Sequence, residues 1–167
     1  MNVVKQNATL DSSFWIHASV SNVIEYLLED FDLAVAPAVA DDLTEDYPSG
    51  ARLHRHIREG NIRVRKPQTA EIDRFGPGER AAINLPIENR GWVLLMDDLR
   101  PFRAAEQMGL APVSSPVYAA SLHRRGVLDE QTALTVLARL AARSTVSPQL
   151  IDLALSQVAQ TAKERRG

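Results

Sequence analysis

Short uncharged runs alternate with amphipathic stretches along most of the chain. The most sharply bounded run is Trp92, Val93, Leu94, Leu95 and Met96, which follows a turn at Gly91 and stops on Asp97 and Asp98. Such a run is how a strand buried on both faces of a parallel sheet reads. Ala8 to Leu10 predicts a first strand ending on Asp11, and Leu33 to Ala36 a second. Asn61 to Arg65 alternates, with Ile62 and Val64 in step, and predicts an edge strand. Leu110 to Val113 predicts a last short strand.

Helical patterns fill the intervals. One starts near Ser12, and another spans Ser19 to Leu28 with Val20, Val23, Ile24, Leu27 and Leu28 on one face and Ser21 and Asn22 as caps. Pro37 opens a helix running through Val39, Asp42 and Leu43 to about Tyr47, and Pro48-Ser49-Gly50 punctuates the chain. Ala51 to Glu59 carries Leu53 and Ile57 as its buried pair, with Gly60 as its stop. Gly76-Pro77-Gly78-Glu79 opens a helix with Ala81, Ala82, Ile83 and Leu85 on its apolar face, closed by Pro86 and Gly91. Arg100 to Ala105 follows the central strand, with Pro101 in the first turn and Gly109 as the stop. Ser115-Pro116, Asp129 and Ser147-Pro148 each open a further helix, and the tail from Lys163 to Gly167 is expected to fray. The last two helices, from about residue 129 to 162, carry Leu137, Leu140, Ile151 and Leu155, which read as packing on the core or as a dimer surface, with the core preferred.

Strands alternating with helices predict an α/β fold, with a parallel sheet of about four to five strands and helices on both faces. The 167 residues are read as one domain, without an internal repeat or linker. An apolar fraction of 45% and a charged fraction of 24% exclude wholesale disorder. Without cysteine there are neither disulfides nor thiolate metal sites. The opening MNVVKQNATLD has no apolar signal core and no run approaches a membrane span, so a soluble cytoplasmic chain is expected, with no membrane partner. The net charge of −2 does not advertise a nucleic-acid binder, but its distribution is uneven. Asp41, Asp42, Glu45 and Asp46 crowd together, whereas Arg52, Arg55, Arg58, Arg63, Arg65 and Lys66 fill the next segment. Local patches of this kind matter more to a phosphate backbone than the sum does.

The acids carry the candidate chemistry. Asp11 and the Asp97-Asp98 pair each end a predicted strand, Asp42 lies in the helix after the second strand, and Glu79 opens the helix before the central one. All strand ends of a parallel sheet share one edge, which is where open α/β sheets place ligands. Clustered carboxylates repel each other, and a hard divalent cation, Mg²⁺ or Mn²⁺, resolves the repulsion while bridging to phosphate. Each acid alone also reads as a helix cap or solvated surface. Arg100 and Arg103, one turn apart beside the acids, read equally as holding a phosphate or as pairing with the carboxylates. His17, His54, His56 and His123 form no ligand spacing, and Gly76-Pro77-Gly78 lacks the lysine of a phosphate loop.

Taken in order, LDSSFWI, VAPAVADDL, GPGERAAINL and VLLMDDLRPFRAAEQMGLAPV resemble the PIN-domain family, in particular a prokaryotic toxin-type branch with a glycine-glutamate and a double-aspartate motif. The likeness runs on through LHRRGVLDE, from about Leu10 to Leu128. It implies a three-layer α/β/α fold and an Mg²⁺- or Mn²⁺-dependent endoribonuclease, often the toxin of a toxin–antitoxin pair with an antitoxin-like protein partner, and often a homodimer. By position, Asp11 matches the first-strand aspartate, Glu79 the acid of the glycine-glutamate motif, and Asp97 and Asp98 the double aspartate, with Asp98 preferred as the ligand. Catalytic and metal-holding roles are thereby expected of Asp11, Asp42, Glu79, Asp97 and Asp98, and RNA contacts of Arg100 and Arg103. The chain departs from the pattern in having Asp42 for a glutamate and Ser114-Ser115 for Gly-Thr, and in placing Pro86 within a helix that normally runs on. A second expectation rests on those departures: a PIN-like module that binds a protein or nucleic acid without cutting.

Overall fold

A computed structural model describes residues 4–167. Its centre is a four-stranded sheet in the order β3-β2-β1-β4, with every pair parallel: β1 (Gln6–Leu10), β2 (Phe31–Val35), β3 (Ile62–Val64) and β4 (Val93–Leu95). Thr9, Ala34, Arg63 and Leu94 stand level across it. Side chains alternate between two cores, as pleating requires. Ala8, Leu10, Leu33, Val35, Ile62 and Leu95 join the larger cluster, while Leu94 and Met96 join the smaller one on the opposite face. The larger core is shared with α1 (Ser12–Val20), α2 (Ile24–Asp30), α4 (Pro48–Arg58), α7 (Ser115–Arg124), α8 (Glu130–Ala141) and α9 (Pro148–Arg166). On the other face α5 (Pro77–Glu88) and α6 (Leu99–Gln107) bring Ala82, Ile83, Ala104 and Ala105, while α3 (Pro37–Asp42) packs beside α5 and, with Leu85 of α5, adds Val39 and Ala40 to the larger core. The result is the three-layer α/β/α arrangement.

Several expected boundaries shift for local reasons. The predicted helix over Ser19 to Leu28 is two helices, broken where Asn22 takes a left-handed φ of 61° and Ser21 closes α1. The helix from Pro37 stops at Asp42, because Tyr47 precedes Pro48 and is driven to extended backbone (φ −111°, ψ 148°) while Pro48 starts α4. Leu53 is fully buried there, but Ile57 is only half-buried and His56 takes the second inward position. Pro86 does not end α5, which runs through it to Glu88. The fifth strand shrinks to a single bridge between Leu95 and Val113, since Pro112 has no N–H to extend the ladder. Ser114 rather than Ser115 caps α7. Nor does the tail fray at Lys163: Gln160 bonds Glu164, and Arg165 donates to the His123 and Arg124 carbonyls, carrying α9 to Arg166. Leu137, Leu140 and Ile151 are buried as expected, but Leu155 is 40% exposed.

Candidate active site

β1 and β4 are direct neighbours, and the Asp11 N–H donates to the Leu95 carbonyl at 3.1 Å. The residues that follow these two strands therefore leave the sheet side by side. Asp11 caps α1, with Oδ1 accepting the Phe14 N–H at 2.7 Å. Phe14 and Trp15 are fully buried, so the first turn of α1 is pressed onto the sheet and its cap is carried inside with it. Asp11 is only 2% exposed, and its Oδ2 has no hydrogen-bond partner. Burial and then the neighbouring Asp97 charge, with a smaller push from Glu79, hold its carboxyl well above the usual carboxylate range. The backbone N–H groups of Phe14 and Asp97 pull the other way and are outweighed.

Asp97 is just as buried, yet well supplied with donors. Its Oδ1 accepts the Ser115 N–H at 2.6 Å, and its Oδ2 accepts both the Ser115 hydroxyl and His17 Nδ1, each at 2.5 Å. His17 Nε2 in turn pairs with Thr145 Oγ1 at 2.8 Å, tying the loop between α8 and α9 to the sheet edge. Asp98 turns outward: it is exposed and caps α6, accepting the Arg100 N–H at 3.3 Å. Of the pair, Asp97 is thus the one buried beside Asp11, and Asp98, preferred as the ligand from the sequence, is the one that faces out. A one-residue step past a strand end flips a side chain from one face to the other.

The remaining acids approach from α3 and α5. Asp42, the exposed last residue of α3, accepts the Ser12 hydroxyl at 3.4 Å. A Cβ on Gly78 would lie 2.6 Å from Asp42 Oδ2, so glycine lets the first turn of α5 close on this carboxylate. Glu79 folds back so far that a Cβ on Gly76 would lie 2.6 Å from its Oε2, the placement of a capping-box acid at a helix start. Arg100 and Arg103 are exposed on α6 and, among the described residues, pair with no carboxylate. A crevice of about 360 Å³ opens beside the aspartates, lined by Ser13, Asp97, Asp98, Leu99, Thr145 and Pro148 among others. A wider depression of about 630 Å³ over α8 holds none of the candidate acids.

Among the described residues, no three His, Cys, Asp or Glu side chains gather closely enough to hold a metal ion by themselves. The donors nevertheless suit a hard cation, and the test is Asp11 Oδ2, a buried carboxylate oxygen with nothing to bind. A carboxylate offers about four lone-pair positions. Asp97 already uses three of its own and Asp11 only one. Mg²⁺ characteristically keeps several waters and is held by one or two carboxylates plus substrate phosphate, so an open site of this kind is adequate. His17, Ser115 and Thr145 were missed in the sequence. The only local trace was a second serine after the last strand, where one suffices as a cap.

Among the described residues no helix is long and apolar enough to cross a membrane. A family model, DUF3368, described as a PIN domain, matches residues 8–160. No curated protein and no solved structure gives a significant match. PIN domains are nuclease-type domains that generally use divalent metal ions and typically act on RNA. With the match extending from β1 into α9, the chain belongs to the PIN-domain family.

Proposed function

We propose that the chain is an endoribonuclease that hydrolyses RNA phosphodiester bonds with Mg²⁺ or Mn²⁺. The observation that carries this reading is the unpartnered, buried Oδ2 of Asp11 beside the buried Asp97. Two carboxylates enclosed together are costly for a fold to keep, and a cation is what offsets the cost. Asp11 and Asp97 would hold the ion, with Asp42, Glu79 and Asp98 completing its surroundings on the exposed side. When bound, such an ion would offset the charge that builds on the phosphate and lower the pKa of a water, so that it can lose a proton and attack as hydroxide. Ser115 and His17 keep Asp97 fixed, so its negative charge is aimed before substrate arrives. Arg100 and Arg103 stand on α6, just beyond Asp98, where their guanidiniums can take flanking phosphates.

The toxin role, the antitoxin-like partner, the homodimer and the cytoplasmic setting belong to this reading too, and rest on the order of the Asp11, Glu79 and Asp97-Asp98 motifs. The non-cutting module is favoured by one observation, the heavy use of Asp97 by Ser115 and His17. Incubation of a single-stranded RNA with the protein in Mn²⁺, in Mg²⁺ and in EDTA separates the two. Cleavage that needs the cation and is abolished by Asp11→Asn supports the nuclease. Cation-dependent cleavage that survives Asp11→Asn refutes the assignment of the site, and an inert wild type that still retains RNA points to the binding module.

A further inference from the structure

The acid site leaves unexplained the basic segment that follows α4. Arg63 and Arg65 point to the same face of the sheet as Leu94, because Arg63 stands level with Ala34, Thr9 and Leu94 and side chains alternate along a strand. Trp92, just before β4, is partly buried against the larger core, and its ring still meets these two arginines. The α5 helix packs on the Leu94 face over β1 and β4, whereas α2 and α4 cover β2 and β3 from the opposite side. Both guanidiniums converge on one indole: Arg63 Cζ lies 5.9 Å and Arg65 Cζ 5.3 Å from the Trp92 ring. Arg63 also donates to Asn7 Oδ1 at 2.7 Å. Among the described residues neither arginine pairs with a carboxylate, although Asp32 is exposed on the neighbouring strand. The ring quadrupole attracts each cation, but two like charges gathered on one ring still repel each other. An anion between them removes that repulsion, and the planar forks match phosphate oxygens.

A second arginine–aromatic pair lies in the segment that joins β3 to α5. Arg74 Cζ is 5.2 Å from the Phe75 ring. Phe75 holds a left-handed φ of 73°, an outlier for a bulky residue, and immediately precedes Gly76, against which the Glu79 carboxylate rests.

We propose that Arg63, Arg65 and Trp92 form a phosphate-binding subsite for single-stranded RNA, distinct from the acid site, and that Arg74 and Phe75 mark the strand's path from it towards Glu79 and Asp11. The choice of RNA as the ligand rests on the nuclease reading. Single strands rather than duplex are indicated because flat aromatic and guanidinium surfaces take up unstacked bases, which a duplex conceals.

The test is fluorescence titration of the full chain with a uridine oligonucleotide in EDTA, repeated over a range of salt. Trp15 is fully buried, so a ligand-dependent change reports Trp92, and Trp92→Phe should abolish it. Replacing both Arg63 and Arg65 by alanine should weaken binding roughly tenfold, the value of about one charge-assisted hydrogen bond. It should also make the slope of log K against log salt shallower by about 1.4, or about 0.7 for each phosphate no longer neutralised. The double lysine variant keeps the charges and should restore the slope, whereas a merely structural role for the arginines would not move it. Unchanged affinity and slope in the folded alanine variant overturn the subsite. Because no metal is present, the result is separable from the nuclease reading. Cleavage that depends on Asp11 with an unaltered slope removes the subsite alone, and an altered slope without any cleavage removes the nuclease alone.

Discussion

Replacing Asp11 by asparagine should make the metal-free protein more stable at neutral pH, although it removes the residue on which the proposed activity depends. Asparagine keeps an acceptor for the Phe14 N–H and is an equally good helix cap, so the local structure of α1 is preserved. What disappears is a charge whose Oδ2 is buried without a partner. An unsatisfied buried polar group costs about 1–3 kcal/mol, and more when it is charged. For a chain of this size each kcal/mol moves Tm by about 2–4 °C, so a gain of about 2–12 °C is expected in EDTA near pH 7. The pH dependence has a definite sign. The folded carboxyl binds its proton more tightly than the unfolded one, because burial and Asp97 oppose its ionisation. The penalty on the wild type is therefore absent below the unfolded value of 3.8 and grows as pH rises towards the raised folded value. The gap between variant and wild type should open with rising pH and close near pH 4. Mn²⁺ at about 100 times its Kd would return about 2.7 kcal/mol to the wild type and nothing to the variant. Thermal melts of both proteins across pH, with and without Mn²⁺, provide the comparison. A variant that melts below the wild type at neutral pH in EDTA, or a gap independent of pH, would refute the reasoning.

Two further substitutions test the supports of the site. Ser115→Ala removes a 2.5 Å hydroxyl bond to the buried Asp97 while leaving the backbone bond in place, and should cost about 1.5–3 kcal/mol in a denaturant titration. An unchanged midpoint would mean that this hydroxyl does not hold Asp97. Gly50→Ala should destabilise by about 1–3 kcal/mol or more, since its Cβ would fall 1.9 Å from the Thr44 carbonyl oxygen, a backbone atom that cannot step aside. Wild-type stability in that variant would show that the turn between α3 and α4 can open to admit a methyl group.

Much of the sheet could be read from the chain because its strands announce themselves locally. The Trp92 to Met96 run and the stop at Asp11 follow from burial, and β4 and β1 form there; β3 forms at the Ile62–Val64 alternation, although only Ile62 is buried and Val64 is exposed. Strand order could not be read in the same way. That β1 lies between β2 and β4, bringing Asp11 against Asp97, depends on packing across the whole domain. Asp97 and Asp98 were indistinguishable by type, and only the point at which β4 gives way to the cap of α6 turns one inward and the other outward. His17 and Thr145 were beyond reach for a different reason. His17 meets Asp97 across 80 residues of sequence and Thr145 across 128, with no periodic or motif signal linking them. The Ser114-Ser115 pair was legible as a helix start, but not as a cap followed by a donor to Asp97.

The most direct test of the central claim is calorimetric titration of Mn²⁺ into the folded wild type and into Asp11→Asn at neutral pH. The account predicts saturable binding to the wild type with proton release, because a carboxyl that holds its proton tightly must give it up, and no binding to the variant. A folded wild type that binds no Mn²⁺, or a variant that binds it equally well, would contradict the assignment of a cation to the Asp11–Asp97 edge.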